Sequence, residues 1–185
     1  MTRIIAGAFG GRSLKVPPRG TRPTTDRVRE ALFSTLNSRV AGDWSRVELF
    51  LDAYAGSGAV GLEAASRGAK RVVLVESARP ALAVLRENVA SLAANAMIEA
   101  IPVEALGAGE SATIAFFDPP YDLDDDALAN VLARLARQGW LTRDSLVVLE
   151  RSARNSRNLL DDQAEQRTYG ETVLWYGHVN EGVDA

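Results

Sequence analysis

From residue 47 onward the sequence predicts an α/β protein, with a mostly parallel sheet covered by helices on both faces. Three observations carry that expectation. Short β-favouring runs alternate with helical patterns across short connections, the arrangement that builds parallel strands through helical crossovers. A glycine-rich loop, Gly56-Ser57-Gly58-Ala59-Val60-Gly61, joins the first of these strands to the first helix. The run Thr113-Ile114-Ala115-Phe116-Phe117 does not alternate, as suits a strand buried on both faces, and it stops at Asp118-Pro119-Pro120-Tyr121-Asp122.

The elements follow in chain order. Runs at 3–8 and 12–16 flank Gly10-Gly11 and read as a short N-terminal β-hairpin arm. Pro17-Pro18 and Arg22-Pro23 make an extended connector. Thr24 or Thr25 then caps a helix with Asp26 in its first turn; Val28, Leu32 and Leu36, with Ala31 and Phe33, form its apolar face. That helix ends within 37–42. A strand over 47–52 leads through the glycine loop into a helix over 59–67, which stops at Gly68. Residues 71–76 form the next strand. Pro80 opens a helix whose Leu82, Leu85, Val89 and Leu92 share a face. A third strand is expected over 97–103, interrupted by Pro102, and a fourth over 113–117. The helix at 124–138 carries three aspartates at its positive end, which suits the macrodipole. Residues 145–150 are the fifth strand; 165–169 and 172–179, split by Gly170, close the fold as an antiparallel pair. The expected division is an arm and connector over 1–23, a main domain over 24–180 and a frayed tail over 181–185.

Composition narrows the function classes. The 185 residues, 46% apolar and 24% charged, suit one soluble domain. No apolar run approaches the roughly 18 residues of a membrane span, and the N-terminal apolar run is too short for a secretory signal. A cytoplasmic protein, expected to be a monomer, is the simplest reading. With no cysteine and only His178, disulfides, thiol chemistry and Cys/His zinc sites are excluded, and no metal is expected. The net charge of −3 hides an asymmetry: residues 1–30 carry +5 and the remainder −8. Such a split marks a polyanion-binding arm, with Arg3, Arg12, Lys15, Arg22 and Arg27 as candidate phosphate contacts. The alternatives are a solvated basic tail, or a structural strap with Ile4, Ile5 and Leu14 buried.

Asp118 is held at a strand's carboxyl end by two prolines, which cannot extend a ladder and stiffen the turn. An acceptor, free carbonyls and the flat face of Tyr121 suit a heterocycle bearing an exocyclic NH2. The glycine loop literally matches G-x-G-x-x-G, the dinucleotide pattern, so a nicotinamide cofactor is a rival. Asp52 argues against it. A carboxylate just before the loop repels pyrophosphate but attracts ammonium or sulfonium, and Glu76 ends the next strand where it can accept ribose hydroxyls. S-adenosylmethionine carries a ribose, an amino group and a sulfonium, and no phosphate. Tyr54 and Ser77 flank the loop and Glu76 and complete the candidate cofactor set with Asp52, Gly56 and Gly58.

Asp52-Ala53-Tyr54-Ala55-Gly56-Ser57-Gly58, Glu76 and Asp118-Pro119-Pro120-Tyr121 resemble the class I amino-methyltransferases of the N2-guanine and N6-adenine type. Arg3-Ile4-Ile5-Ala6-Gly7, Gly11-Arg12 and the block from Arg22-Pro23-Thr24-Thr25 through Asp26-Arg27-Val28-Arg29-Glu30 are similar to the bacterial 16S ribosomal RNA guanine-N2 methyltransferases of the RsmD type. The resemblance implies a Rossmann-like, seven-stranded sheet with its last strand antiparallel. It also implies cofactor binding by Asp52, the 56–58 turn and Glu76, and 16S ribosomal RNA or an assembling small subunit as partner. The sequence departs from the pattern at 101–109, where Pro102-Val103-Glu104 replaces the polar residue usual near the adenine. On this reading Asp118 and the Pro119 carbonyl hold a guanine amine while Tyr121 stacks on the base. An N6-adenine methyltransferase, a nicotinamide-dependent oxidoreductase and an inactive RNA-binding relative remain the alternatives.

Overall fold

The computed structural model describes residues 2–17, 26–154 and 157–180. Arg22, the Thr24/Thr25 cap, most of the proline connector and the 181–185 tail lie outside them. The hairpin is β1 (Thr2–Arg3) with β2 (Ser13–Leu14), followed by helix α1 (Asp26–Arg39). Then come β3 (Phe50–Asp52), α2 (Ala59–Arg67), β4 (Val72–Val75), α3 (Arg79–Leu92), β5 (Ala96–Glu99) and β6 (Ile114–Phe117). Helix α4 (Asp125–Arg137), β7 (Leu146–Ser152), β8 (Glu165–Tyr169) and β9 (Thr172–Gly177) complete the order.

The main sheet has seven strands in the order β5-β4-β3-β6-β7-β9-β8. Strand β9 alone runs against its neighbours. The chain builds outward from β3 through β4 to β5, then returns to lay β6 on the other side of β3. That reversal opens a crevice at the carboxyl ends of β3 and β6, where ligands bind in sheets of this kind.

Local chemistry explains the boundaries. Helix α2 starts from Gly58 at φ 82° and ends at Gly68, φ 115°, whose N–H donates to the Ala64 and Ala65 carbonyls. The Asp124 carboxylate caps α4 by accepting from the Ala127 N–H at 2.7 Å. Two strands are shorter than their patterns suggest. Before β3, the Val47 carbonyl accepts from Lys70 and the Glu48 N–H donates to the Thr113 hydroxyl, so the ladder begins only at Phe50. Strand β5 ends at Glu99, and Pro102 opens a 3-10 turn over Val103–Ala105 instead of extending it.

Side chains alternate across the sheet into two cores. Phe50, Leu74, Phe116, Val148 and Leu174 pack with residues of α1, α2 and α3. Leu51, Val73, Phe117, Val147 and Leu149 pack against Leu128, Val131 and Leu135 of α4. Burial on both faces accounts for the unbroken apolar run of β6.

The N-terminal arm is strapped to this domain. Ile4 and Leu14 are buried in the first core and Ile5 is half-buried. The run at 3–8 is not a continuous strand. The Ile5 and Ala6 N–H groups donate to the buried carboxylate of Glu63 on α2, at 2.6 and 3.1 Å, and Arg67 Nε donates to it at 2.7 Å. At Gly7, φ 85°, an added Cβ would lie 1.9 Å from the Ser66 carbonyl oxygen, so only glycine permits this approach. Arg29, counted in the basic segment, is buried: it donates to the Thr2 hydroxyl at 2.7 Å and pairs with Asp26 at 3.0 Å. Burial lowers its pKa against the raising effect of Asp26. Glu63→Ala is expected to destabilise the fold by about 3–5 kcal/mol, because it strands Arg67 and two N–H groups. Urea unfolding at neutral pH checks this; an unchanged midpoint would show that the strap contributes little.

Candidate active site

Four strands deliver the site. Asp52 ends β3, with its carboxylate 1% exposed and Oδ2 accepting from the Gly61 N–H at 2.9 Å. Burial pushes its pKa up to about 7 against the lowering effect of that bond, and the charges of Asp118 and Glu76 add to the rise. Those three carboxylates therefore share one field at the crevice. Glu76 follows β4 and ties the loop to the next helix. Its Oε2 accepts from the Gly56 N–H at 2.8 Å, and its Oε1 from Ser77 and Ala78 N–H at 2.8 and 2.7 Å.

The glycines have different tasks. Gly56, φ 55°, faces open space, with nothing within 4 Å of an added Cβ. At Gly58, φ 82°, a Cβ would strike Leu85 at 2.5 Å, and at Gly61 it would strike Leu74 at 2.2 Å. The first leaves room beside the loop; the others let α2 pack against α3 and β4. Tyr54 is half-buried, its ring 6.5 Å from that of Phe117. Its hydroxyl is buried, and burial, with the charge and hydrogen bonding of the Glu104 carboxylate, raises its pKa. Ser77 is exposed, with its backbone held by Glu76.

Asp118, Pro119 and Tyr121 leave β6 to line a cleft of about 230 Å³. Tyr121 is 73% exposed, an unusual position for a large aromatic side chain. The rest of the lining comes from β7, the neighbour of β6, and from the β8–β9 turn and the start of β9, with Glu150, Arg151 and Thr172 among its residues. Sequence reasoning missed this part. One signal was present: Glu150 closes the predicted fifth strand, as Asp52, Glu76 and Asp118 close or follow theirs.

The arm's cations lie apart from these groups in their bonding. Arg3 and Arg27 are exposed. The Arg12 guanidinium donates to the Ser91 carbonyl, and Lys15 pairs with Glu87 at 2.6 Å, both on α3. Asn88, buried on α3, joins arm to loop: its amide donates to the Lys15 and Ser57 carbonyls at 2.9 and 2.8 Å. The arm therefore contributes to holding the glycine loop.

Residues 2–178 match the family described as conserved hypothetical protein 95. The chain is 39% identical over 157 residues to ribosomal RNA small subunit methyltransferase D of Escherichia coli K12, covering 83% of this chain and 76% of that protein. A solved hypothetical protein of Thermus thermophilus superposes with TM-score 0.79 at 38% identity, covering 97% of this chain and all of that one. The 16S rRNA N2 G1207 methyltransferase RsmC of the same species, solved with AdoMet and guanosine, shares the fold at TM-score 0.67 and 20% identity, covering 86% of this chain and 45% of that one. A Rossmann-like methyltransferase sheet, a crevice lined by carboxylates and this identity over most of both chains agree: the protein belongs to the ribosomal RNA small subunit methyltransferase D family.

Proposed function

We propose that the protein transfers a methyl group from S-adenosylmethionine to the exocyclic N2 of a guanine in small-subunit ribosomal RNA. The observation that carries this reading is the juxtaposition across the β3–β6 pair. A glycine loop held by Glu76 and the buried Asp52 lies on one side, and the Asp118-Pro119-Pro120-Tyr121 cleft on the other. The family's named activity and the guanosine-bound fold relative support it.

The residues fit this cofactor. Open space beside Gly56, the buried Tyr54 hydroxyl and three interacting carboxylates suit a polar, cationic group. A dinucleotide fits poorly, because Asp52 already occupies the Gly61 N–H at the start of α2, where a phosphate would bind. Glu76 Oε1 already accepts two N–H groups, which leaves Oε2 as the freer oxygen for a ribose hydroxyl. When bound, S-adenosylmethionine supplies an electrophilic methyl group. An aryl amine is a poor nucleophile because its lone pair is delocalised into the ring. The Asp118 carboxylate and Pro119 carbonyl accept its two hydrogens and direct that lone pair, and Asp118 takes the proton after transfer. Positioning supplies most of the acceleration. Tyr121 stacks on the splayed-out base, worth about 1–3 kcal/mol.

The direct test is incubation of the protein with labelled S-adenosylmethionine and small-subunit RNA from cells lacking it, followed by mapping of the methylated nucleoside. Label found only on adenine would overturn the guanine reading. Glu76→Ala is expected to weaken S-adenosylmethionine binding by about 1.5–3 kcal/mol, read by calorimetry. Reversing charge at Arg12 and Lys15 leaves Ile4 and Leu14 in place but also breaks the bonds to Ser91 and Glu87, so the thermal midpoint is measured beside RNA binding. RNA affinity and its salt slope should both fall. Unchanged values would assign these cations to α3 alone.

A further inference from the structure

We infer that Arg154 is a phosphate subsite for the RNA strand, at the tip of a β7–β9 ribbon that runs on past the end of β6. The inference rests on the RNA-substrate part of the reading above, whichever base is methylated, and deepens it by naming where the strand is gripped beside that base. The last register pair between β6 and β7 is Phe117 with Leu149. Strand β7 then continues with β9 alone. Glu150, Arg151 and Ser152 pair with Leu174, Val173 and Thr172, and the Ala153 N–H donates to the Glu171 carbonyl at 2.8 Å. At about 3.3 Å per residue, the ribbon extends about 10 Å beyond that last pair. Arg154 follows at its tip, against Glu171 of the β8–β9 turn, and both line the cleft with Asp118, Pro119 and Tyr121.

The lining holds two guanidinium groups, and they are placed differently. The Arg151 side chain is 10% exposed and committed within the protein, donating to the Leu123 carbonyl and to Asp125 at 2.9 Å each. Arg157, further along the chain, also answers the acidic start of α4, through Asp125 and Asp126. Arg154 stands in solvent: its side chain is 78% exposed, and that of Glu171, paired with it at 2.5 Å, is 56% exposed. Water and salt screen such a pair, so exchanging it for a phosphate costs little. The planar guanidinium also matches two phosphate oxygens at once, which a single exposed carboxylate contact does not exploit. A base and its flanking phosphates are joined through one sugar. A base splayed out against Tyr121 therefore carries those phosphates to the rim where Arg154 stands. Arg12 and Lys15 bond to α3 instead, so this grip is separate from the arm.

The test uses small-subunit RNA, naked or assembled as wild-type protein methylates it, with one phosphate flanking the mapped target nucleotide made neutral, by ligation, as a methylphosphonate. Each of the two flanking positions is neutralised in turn. With wild-type protein, neutralising the contacted phosphate should lower kcat/KM by about three- to tenfold at about 0.15 M salt. Arg154→Gln should lose a similar factor on natural RNA, chiefly through KM, and its salt slope should be shallower by about 0.7. On the neutralised RNA the variant should lose little more, because both changes remove one contact. Its affinity for S-adenosylmethionine, read by calorimetry, should match wild type; a parallel fall there would assign the loss to a disturbed cleft and overturn the subsite. Losses that multiply at both phosphates also overturn it, as does an unchanged KM and salt slope. The wild-type rates decide even if Arg154→Gln fails to fold: rates unaffected by neutralising either phosphate refute the contact. Absence of any methylation of natural RNA by wild-type protein removes the RNA reading as well. Label on adenine instead of guanine corrects that reading alone and leaves the subsite standing.

Discussion

Asp118→Ala is expected to lower single-turnover methylation by about 100- to 1000-fold while leaving the thermal midpoint close to wild type. Asp118 lies beyond the end of β6 and is not part of either apolar core, so its loss opens no core cavity. It is the carboxylate that the proposed chemistry needs against the amine hydrogens. Removing it leaves only the Pro119 carbonyl to orient the lone pair. Affinity for S-adenosylmethionine should change little and in a defined direction. Asp118 is among the charges that raise the Asp52 pKa, so the variant leaves Asp52 more fully ionised near neutral pH. Calorimetry beside rapid-quench methylation separates the two effects. Turnover within a few-fold of wild type would mean that the amine is held elsewhere.

Asp52→Asn is expected to flatten the dependence of stability on pH and to weaken cofactor binding. Burial raises the Asp52 pKa from 3.8 to about 7. Below the unfolded value the carboxyl is protonated in both states and costs nothing. As pH rises from about 4 to 7 the unfolded chain releases the proton and the folded one retains it. Stability therefore falls across that window, by about 1.4 kcal/mol per unit and about 4 kcal/mol in all, and is constant above it. An asparagine can still accept from the Gly61 N–H but carries no charge, so this fall disappears. The amide's own buried N–H groups offset the gain by about 1–3 kcal/mol, which makes the slope a cleaner readout than the absolute midpoint. A bound cation reverses the balance by favouring the ionised carboxylate. Wild-type affinity for S-adenosylmethionine should accordingly rise with pH up to about 7, and the variant's should not. Urea unfolding of both proteins from pH 4 to 8 decides the first point: parallel curves would mean that Asp52 titrates normally.

Short-range chemistry made much of this protein legible in its sequence. The α2 boundaries, the Gly68 stop, the acidic start of α4, the apolar β6 run and the antiparallel closing pair all depend on periodicity or turn chemistry within a few residues. The same holds for the carboxylates at strand ends, since a crossover topology sends every parallel strand's carboxyl end to one side of the sheet. Other features required contacts between distant segments. Ile5 and Ala6 read as strand, but their N–H groups found the Glu63 carboxylate 58 and 57 residues away. Arg29 counted toward the basic charge of residues 1–30, but it became the buried bond between α1 and the hairpin because Thr2 and Arg3 supply acceptors there. Asn88 had no signal at all until the arm and the glycine loop met across it. The β7 side of the cleft joined the site only when β7 took its place beside β6, which brought Glu150 into the same lining as Asp118. A strand's own residues decide which of its faces is apolar; its neighbour in the sheet decides what stands beside its last carboxylate.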